Sequence, residues 1–156
     1  MPQSLSRIAL HLTFSTKDRV RALAYPELRT NLEGYIVGAL NNLGCPSIST
    51  RAVIEHVHIL FALSRTETLS NVVQMVKQES SKWIKRQMPD CKDPYLVKFR
   101  WQKGYGAFSV SESMIPRVKE YIENQEEHHK RMTFQEEYLR LLEKHDVAYD
   151  ERYVWD

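Results

Sequence analysis

The stretch "IEHVHILFAL", residues 54–63, decides how the rest of the chain is read. As a β-strand it places alternate side chains on opposite faces. Val57, Ile59 and Phe61 then face a core, and His56 and His58 share the other face. Two neutral imidazoles on one face can ligate a single divalent cation if a third ligand and open positions are supplied. The same pair also fits two surface or hydrogen-bonded histidines on an exposed sheet face. An H-x-H pattern alone is too short to choose between these.

Upstream, "RIALHLTFS" (residues 7–15) alternates in the same way. Ile8, Leu10, Leu12 and Phe14 point one way, and Ala9, His11 and Thr13 the other, which predicts a half-buried strand. A basic loop, "TKDRVRA", follows it. Pro26 can open a helix, because its missing N–H is an orphan there anyway. Leu28, Leu32, Tyr35, Ile36, Ala39, Leu40 and Leu43 recur at helical spacing, and Gly44 stands where a C-terminal cap is expected. Residues 48–55 read as a second strand, joined to a third at 57–63 by a short turn near Glu55.

Downstream, Thr68 or Ser70 can cap a helix whose stripe is Leu69, Val72, Val73, Val76, Trp83 and Ile84. The segment "MPDCKDPYLV" reads as the loop that ends it, and "VKFRWQKGYGAFSVS" as a last strand interrupted near Gly104 and Gly106. From Ser111 the pattern is helical through "SESMIPRVKEYIENQEEHHKRM". Thr133 with Glu136 forms a capping box for a further helix to about Lys144. The aromatic tail is expected to dock by Tyr149, Tyr153, Val154 and Trp155. The order strand, helix, strand, strand, helix, strand predicts an α+β fold: a ferredoxin-like split βαβ sandwich with an antiparallel sheet and extra C-terminal helices. Residues 1–131 are expected to form the main domain through the second-last helix, and residues 132–156 a helical extension of it.

Composition fits that picture. The 156 residues are 42% hydrophobic and 27% charged, the mix of a globular chain rather than a disordered one. No apolar run reaches membrane-spanning length, and the first residues lack the layout of a signal peptide. Cys45 and Cys91 stand apart with no C-x-x-C pattern, so they are expected to be reduced thiols in a cytoplasmic protein rather than zinc ligands. The net charge of +2 is unevenly spread. Residues 1–111 carry 15 basic against 8 acidic side chains, and residues 112–156 carry 7 against 12. A basic body suits a polyanionic partner, and equally a solvated surface beside an acidic helical tail.

A second constellation is "YIENQ", residues 121–125. Tyr121 and Gln125, at i and i+4, share a face if the helix is continuous. A tyrosine hydroxyl can act as a covalent nucleophile if something offsets its resting pKa of about 10. An amide oxygen one turn away can serve as a third metal ligand. Alone, this helix reads more simply as one amphipathic tyrosine and one solvated glutamine.

Taken together, an early strand ending "TFSTKDR", the "HVH" of residues 56–58, a lysine-bearing helix, Trp101 to Tyr105 as W-x-x-G-Y, and a late "YIENQ" occur in one order. In this the chain resembles the single-tyrosine HUH transposases of insertion sequences, which include the REP-associated tyrosine transposases, over roughly residues 7–125. The resemblance implies that His56, His58 and Gln125 hold Mg2+ or Mn2+. It implies that Tyr121 attacks a scissile phosphate of single-stranded DNA, forms a 5′-phosphotyrosine link and releases a 3′-OH. It further implies hairpin-forming element ends as the DNA partner and a homodimer as the assembly. A domesticated hairpin-binding protein of the same fold is the alternative. A nicking enzyme of the replication-initiator or relaxase kind is disfavoured by the short chain.

Other side chains carry weaker expectations. Lys17, Arg19 and Arg21 in the basic loop, and Lys77, Lys82, Lys85 and Arg86 on the middle helix, could grip DNA phosphates. Tyr105 and Phe108 could stack on bases. His11 is expected to be mainly structural, and His128 and His129 to lie on a solvated helix surface, although His129 continues the Tyr121–Gln125 stripe.

Overall fold

A computed structural model describes residues 2–87 and 93–156. Four strands, β1 (Ala9–Ser15), β2 (Ser47–Ala52), β3 (His56–Ala62) and β4 (Gly106–Val110), form one antiparallel sheet in the order β2-β3-β1-β4. Between them run α1 (Pro26–Asn42) and α2 (Leu69–Gln87). This is the ferredoxin-like α+β sandwich expected from the strand and helix order. Register brings His11 opposite Leu60, and Thr13 opposite His58.

The two faces of β3 separate as its alternation requires. Val57, Ile59 and Phe61, with Leu12 and Phe14 of β1, pack against Leu28, Leu32, Ile36 and Leu40 of α1 and Val72, Val73, Val76 and Ile84 of α2. Gly44 adopts a φ of +69° just past α1, a left-handed value that glycine takes without a Cβ clash. Thr68 caps α2 by accepting from the Asn71 N–H at 3.1 Å.

On the opposite face the sequence led to an open sheet, and the structure closes it. After a 3-10 turn at Glu112–Met114 come α4 (Ile115–Glu123), α5 (Gln125–His128) and α6 (Phe134–Lys144). Ile115 and Ile122 of α4 pack on Ala9 and Leu60, and Phe134, Tyr138 and Leu142 of α6 on Phe108. Thr133 caps α6 through the Glu136 N–H at 3.2 Å, as its sequence predicts.

Several boundaries depart from the sequence reading. The third strand starts at His56, and the last one is ordered only from Gly106. Before it, Trp101 makes an isolated bridge to Thr16. Pro94–Val97 is a helical turn, α3, capped by Asp93 rather than loop; residues 88–92 of the same segment, including Cys91, lie outside the described residues. The long helix expected from Ser111 breaks at Asn124, which has φ −98° and ψ 20°. In the tail, Val154 and Trp155 dock against the α6 cluster, whereas Tyr149 and Tyr153 stay exposed.

Candidate metal and nucleophile site

His56 and His58 point to the α4–α6 side of the sheet, and both are fully buried. Each imidazole is tied at one nitrogen. His56 Nδ1 lies 2.8 Å from Glu55 Oε1, so the carboxylate accepts the Nδ1 proton and Nε2 is left as a bare lone pair. Among the described residues that Nε2 has no hydrogen-bond partner. His58 Nδ1 lies 2.7 Å from His11 Nε2 across the β1–β3 pair. His11 therefore orients His58, a role its place on the polar face of β1 allowed.

Both free edges meet one carboxylate. Glu137 of α6, only 1% exposed, puts Oε1 at 2.8 Å from His58 Nε2, 3.2 Å from His129 Nε2 and 3.6 Å from His56 Nε2. Its Oε2 accepts from the Tyr121 hydroxyl and lies 3.2 Å from His128 Nε2. Ligand atoms of His56, His58, His129 and Glu137 all fall within 4.8 Å of one another. Three imidazoles, one of them with its buried Nε2 orphaned, and one carboxylate make a donor set that can hold a divalent cation.

Tyr121 reaches the histidines of its own chain. Its ring centroid is 5.9 Å from that of His58 and 6.2 Å from that of His11, both edge-on. Gln125 is buried one turn later, past the break at Asn124. Its Nε2 donates to the Tyr121 carbonyl at 3.3 Å, and its Oε1 has no partner among the described residues. The helix break also turns His128 and His129 inward, away from the solvated surface the sequence suggested.

Burial and charge set the protonation states. Burial, above all, lowers His56 from 6.5 to about 4, so its imidazole is neutral at pH 7. Burial and the neighbouring His58 hold His11 well below its ordinary value. Burial works to raise Glu137, but His58, His129 and His56 around it override that and hold its carboxyl far below the usual range. Glu55 is lowered in the same way: burial opposes, and the His56 hydrogen bond wins. Tyr121 is raised by burial, then by the charge and hydrogen bond of Glu137. In this arrangement the phenol is held protonated.

The basic residues divide by location. Arg21 and Arg29 line a cavity of about 600 Å³ that also contains Glu55 and His129. Arg19 lines it too, with its guanidinium 5.5 Å above the Trp155 ring. A second cavity, about 710 Å³, opens on the other side of the cluster beside Tyr121 and Glu137, with Arg117, Arg140 and Lys144 in its lining. Lys17 is exposed on the turn preceding Arg19. By contrast, α2 lies across the sheet from the histidines. There Lys82, Lys85 and Arg86 are exposed, and Lys82 is 3.7 Å from Glu79. Lys77 is spent within the chain: its ammonium donates to the carbonyls of Gln102, Lys103 and Gly104 at 2.7, 3.1 and 2.7 Å. Tyr105 is half-buried, 5.8 Å from that ammonium, and Phe108 is buried against His145.

The sequence reading missed Glu137 and the supporting role of Glu55. The signal for Glu137 was present: it interrupts the apolar stripe Phe134, Tyr138, Leu141, Leu142 of α6, where a carboxylate is costly unless paired.

The α+β sandwich thus carries a strand-borne histidine pair, a helix-borne tyrosine and a buried carboxylate that meets both. The family described as "Transposase IS200 like" matches residues 4–125, and the chain belongs to that family of DNA-processing transposases. No curated protein sequence matches the chain. Among solved structures it is similar to a candidate transposase from Deinococcus radiodurans, with TM-score 0.63 and 22% identity over 80% of this chain and 95% of that one. It is also similar to the REP-associated tyrosine transposase bound to a REP hairpin, with TM-score 0.58 and 15% identity over 96% and 91% of the two chains. At those identities the likeness is one of fold. No helix among the described residues is long and apolar enough to cross a membrane.

Proposed function

We propose that this transposase cleaves and rejoins single-stranded DNA at hairpin-marked ends through a 5′-phosphotyrosine intermediate, with Tyr121 as nucleophile. His56 and His58 hold a divalent cation, Mg2+ or Mn2+, with the Gln125 amide oxygen as a further ligand. The observation that carries the reading is convergence: the Tyr121 hydroxyl and both imidazole edges meet on the one buried carboxylate of Glu137. The unpaired Oε1 of Gln125 supports its part as a donor. The family match and the hairpin-bound relative support the DNA substrate.

In this mechanism Tyr121 Oη attacks phosphorus, and the bond from phosphorus to the 3′ oxygen breaks. The phenol gives up its proton as its bond to phosphorus forms, with Glu137 Oε2, which accepts from that hydroxyl, placed to receive it, and the leaving oxygen takes up a proton and becomes the 3′-OH. A 3′-OH from a second strand then attacks the phosphotyrosine and returns the phenol, so no external energy source is required. The cation supplies charge neutralisation at the phosphate. The chain's own residues position: α4 docks through Ile115 and Ile122, which fixes Tyr121 beside β3, and His11 and Glu55 fix the two imidazoles. Arg19 and Arg21 on one side of the cluster, and Arg117, Arg140 and Lys144 on the other, are placed to meet backbone phosphates. A homodimer, with residues 132–156 as an extension of the same domain, completes the proposal.

The test uses labelled single-stranded hairpin DNA with Mn2+. A covalent adduct forms with the wild type and is absent with Tyr121→Phe, while His56→Ala loses cleavage and keeps DNA binding. Tight hairpin binding with no adduct at any metal concentration would leave a hairpin-binding protein instead.

A further inference from the structure

We infer that His129 and Glu137, both beyond the stretch matched by the family, join the cation site, so that three imidazoles and one carboxylate hold the ion alongside the Gln125 oxygen and α6 is a ligand-bearing helix. This rests on the metal reading of His56 and His58 and adds to it.

The geometry argues from what the cluster lacks. Glu55 takes the Nδ1 proton of His56, so the bare Nε2 faces Glu137 Oε1 at 3.6 Å. Among the described residues nothing donates to His56 Nε2, whereas Glu137 Oε1 is met by His58 Nε2 and His129 Nε2. A cation between His56 Nε2 and Glu137 Oε1 satisfies the orphaned nitrogen and takes the place of those two donors on the carboxylate. The four donor atoms lie within 4.8 Å of one another. Around an ion with bonds of about 2.1 Å, neighbouring ligands stand roughly 3.0–3.4 Å apart. The widest pair, up to 4.8 Å apart, must therefore draw in unless it binds on opposite sides of the ion. His56 Nε2 to Glu137 Oε1, at 3.6 Å, is already close to that spacing.

The supporting shell is also built. Ligating histidines nearly always donate their second nitrogen to a carboxylate or another acceptor, which fixes ring and tautomer. Here Glu55 serves His56 and His11 serves His58. With a cation on Nε2, the His58 proton moves to Nδ1 and His11 Nε2 accepts it, so the 2.7 Å contact survives with its direction reversed. Glu137 keeps one oxygen for the cation and the other for Tyr121, tying the nucleophile to the ion through a single side chain.

The donor chemistry selects the ion. Mg2+ prefers oxygen ligands and keeps its waters, whereas imidazole-rich sites suit later first-row transition metals, with Mn2+ the weakest binder of that row and a usable spectroscopic probe of the site. The site is therefore one for a transition metal, with Mg2+ a weak competitor.

The experiment is direct metal binding to the whole chain, stripped with EDTA and titrated with MnCl2. Free Mn2+ is read by electron paramagnetic resonance, and the nitrogen couplings of bound Mn2+ by pulsed methods. The wild type is expected to bind one Mn2+ with three imidazole couplings, and excess Mg2+ to displace it poorly. His129→Ala should drop one coupling, and it and Glu137→Gln should each weaken binding about tenfold or more. Glu137→Asp should recover part of that loss. Wild-type affinity in both His129→Ala and Glu137→Gln, with binding abolished in His56→Ala, would overturn the inference and leave the metal reading standing. Undiminished binding in His56→Ala as well would overturn both. If Glu137→Gln fails to fold, the coupling count decides: three in the wild type and two in His129→Ala support the inference, and two in both overturn it.

Discussion

The neutral, buried state of His56 makes the metal-free chain acid-sensitive above the carboxylate range. In the unfolded chain this imidazole titrates near 6.5, and in the fold it titrates at about 4. Between those values the unfolded state holds a proton that the folded state excludes, so stability falls as pH falls through that window. The full gap is about 2.5 pH units, or ~3 kcal/mol at about 1.4 kcal/mol per unit. From pH 7 to pH 5 the His56 loss works out at about 2 kcal/mol. His129 has the opposite sign. Burial opposes, but Glu137 raises it, so its contribution is full below 6.5 and fades as pH rises. The His56 effect is isolated by difference. Urea unfolding of the wild type and of His56→Gln, in EDTA at pH 7, 6 and 5, gives two stability profiles by linear extrapolation. The wild type should lose about 2 kcal/mol relative to the variant over that range. A difference constant to within about 0.5 kcal/mol would show that His56 is not held neutral by burial, and the bare Nε2 would go with it.

Two further substitutions test the scaffold. Lys77→Met removes the ammonium that serves three backbone carbonyls, and should cost about 1–3 kcal/mol in chemical denaturation while leaving hairpin DNA affinity unchanged. A large drop in affinity at unchanged stability would assign Lys77 to DNA instead. Gly106→Ala places a Cβ 3.0 Å from Tyr138 and 3.2 Å from Phe108, and should cost about 1–3 kcal/mol and raise amide hydrogen exchange along residues 134–144. Unchanged exchange there would mean the two rings give way and α6 does not depend on them.

Much of this was legible in the sequence because it rests on local periodicity. The alternation in residues 54–63 and 7–15 fixed which side chains share a face, and that alone put both imidazoles on the side away from α1 and α2. Thr68, Gly44 and Thr133 mark helix ends by chemistry that acts over a few residues, and each does so in the structure. Gln125, His128 and His129 were harder. Their positions follow from the break at Asn124, and nothing in "YIENQEEHH" announces it. Glu137 is 79 residues from His58, and no local rule spans that distance. The only trace is a carboxylate in an apolar stripe, which says that a partner exists without naming it.

Glu137 also connects facts that look separate in the sequence. A buried carboxylate in an apolar face is costly unless donors or cations surround it. The donors here come from β3, from the segment after Asn124 and from Tyr121. Burying the histidine pair and closing α6 over the sheet are thus one event. Without α6, His56 and His58 would meet water; with it, they form the inner wall of a dry cluster. Charge follows the same logic. The basic body and the acidic extension meet where one acidic side chain is buried, while Arg21 and Arg29 on one side and Arg117, Arg140 and Lys144 on the other face the adjoining cavities. The negative charge lies at the centre and the positive charges at the openings. That distribution favours a polyanion at the rim, and under the proposed mechanism a cation at the middle would offset the Glu137 charge beside which a phosphate has to sit.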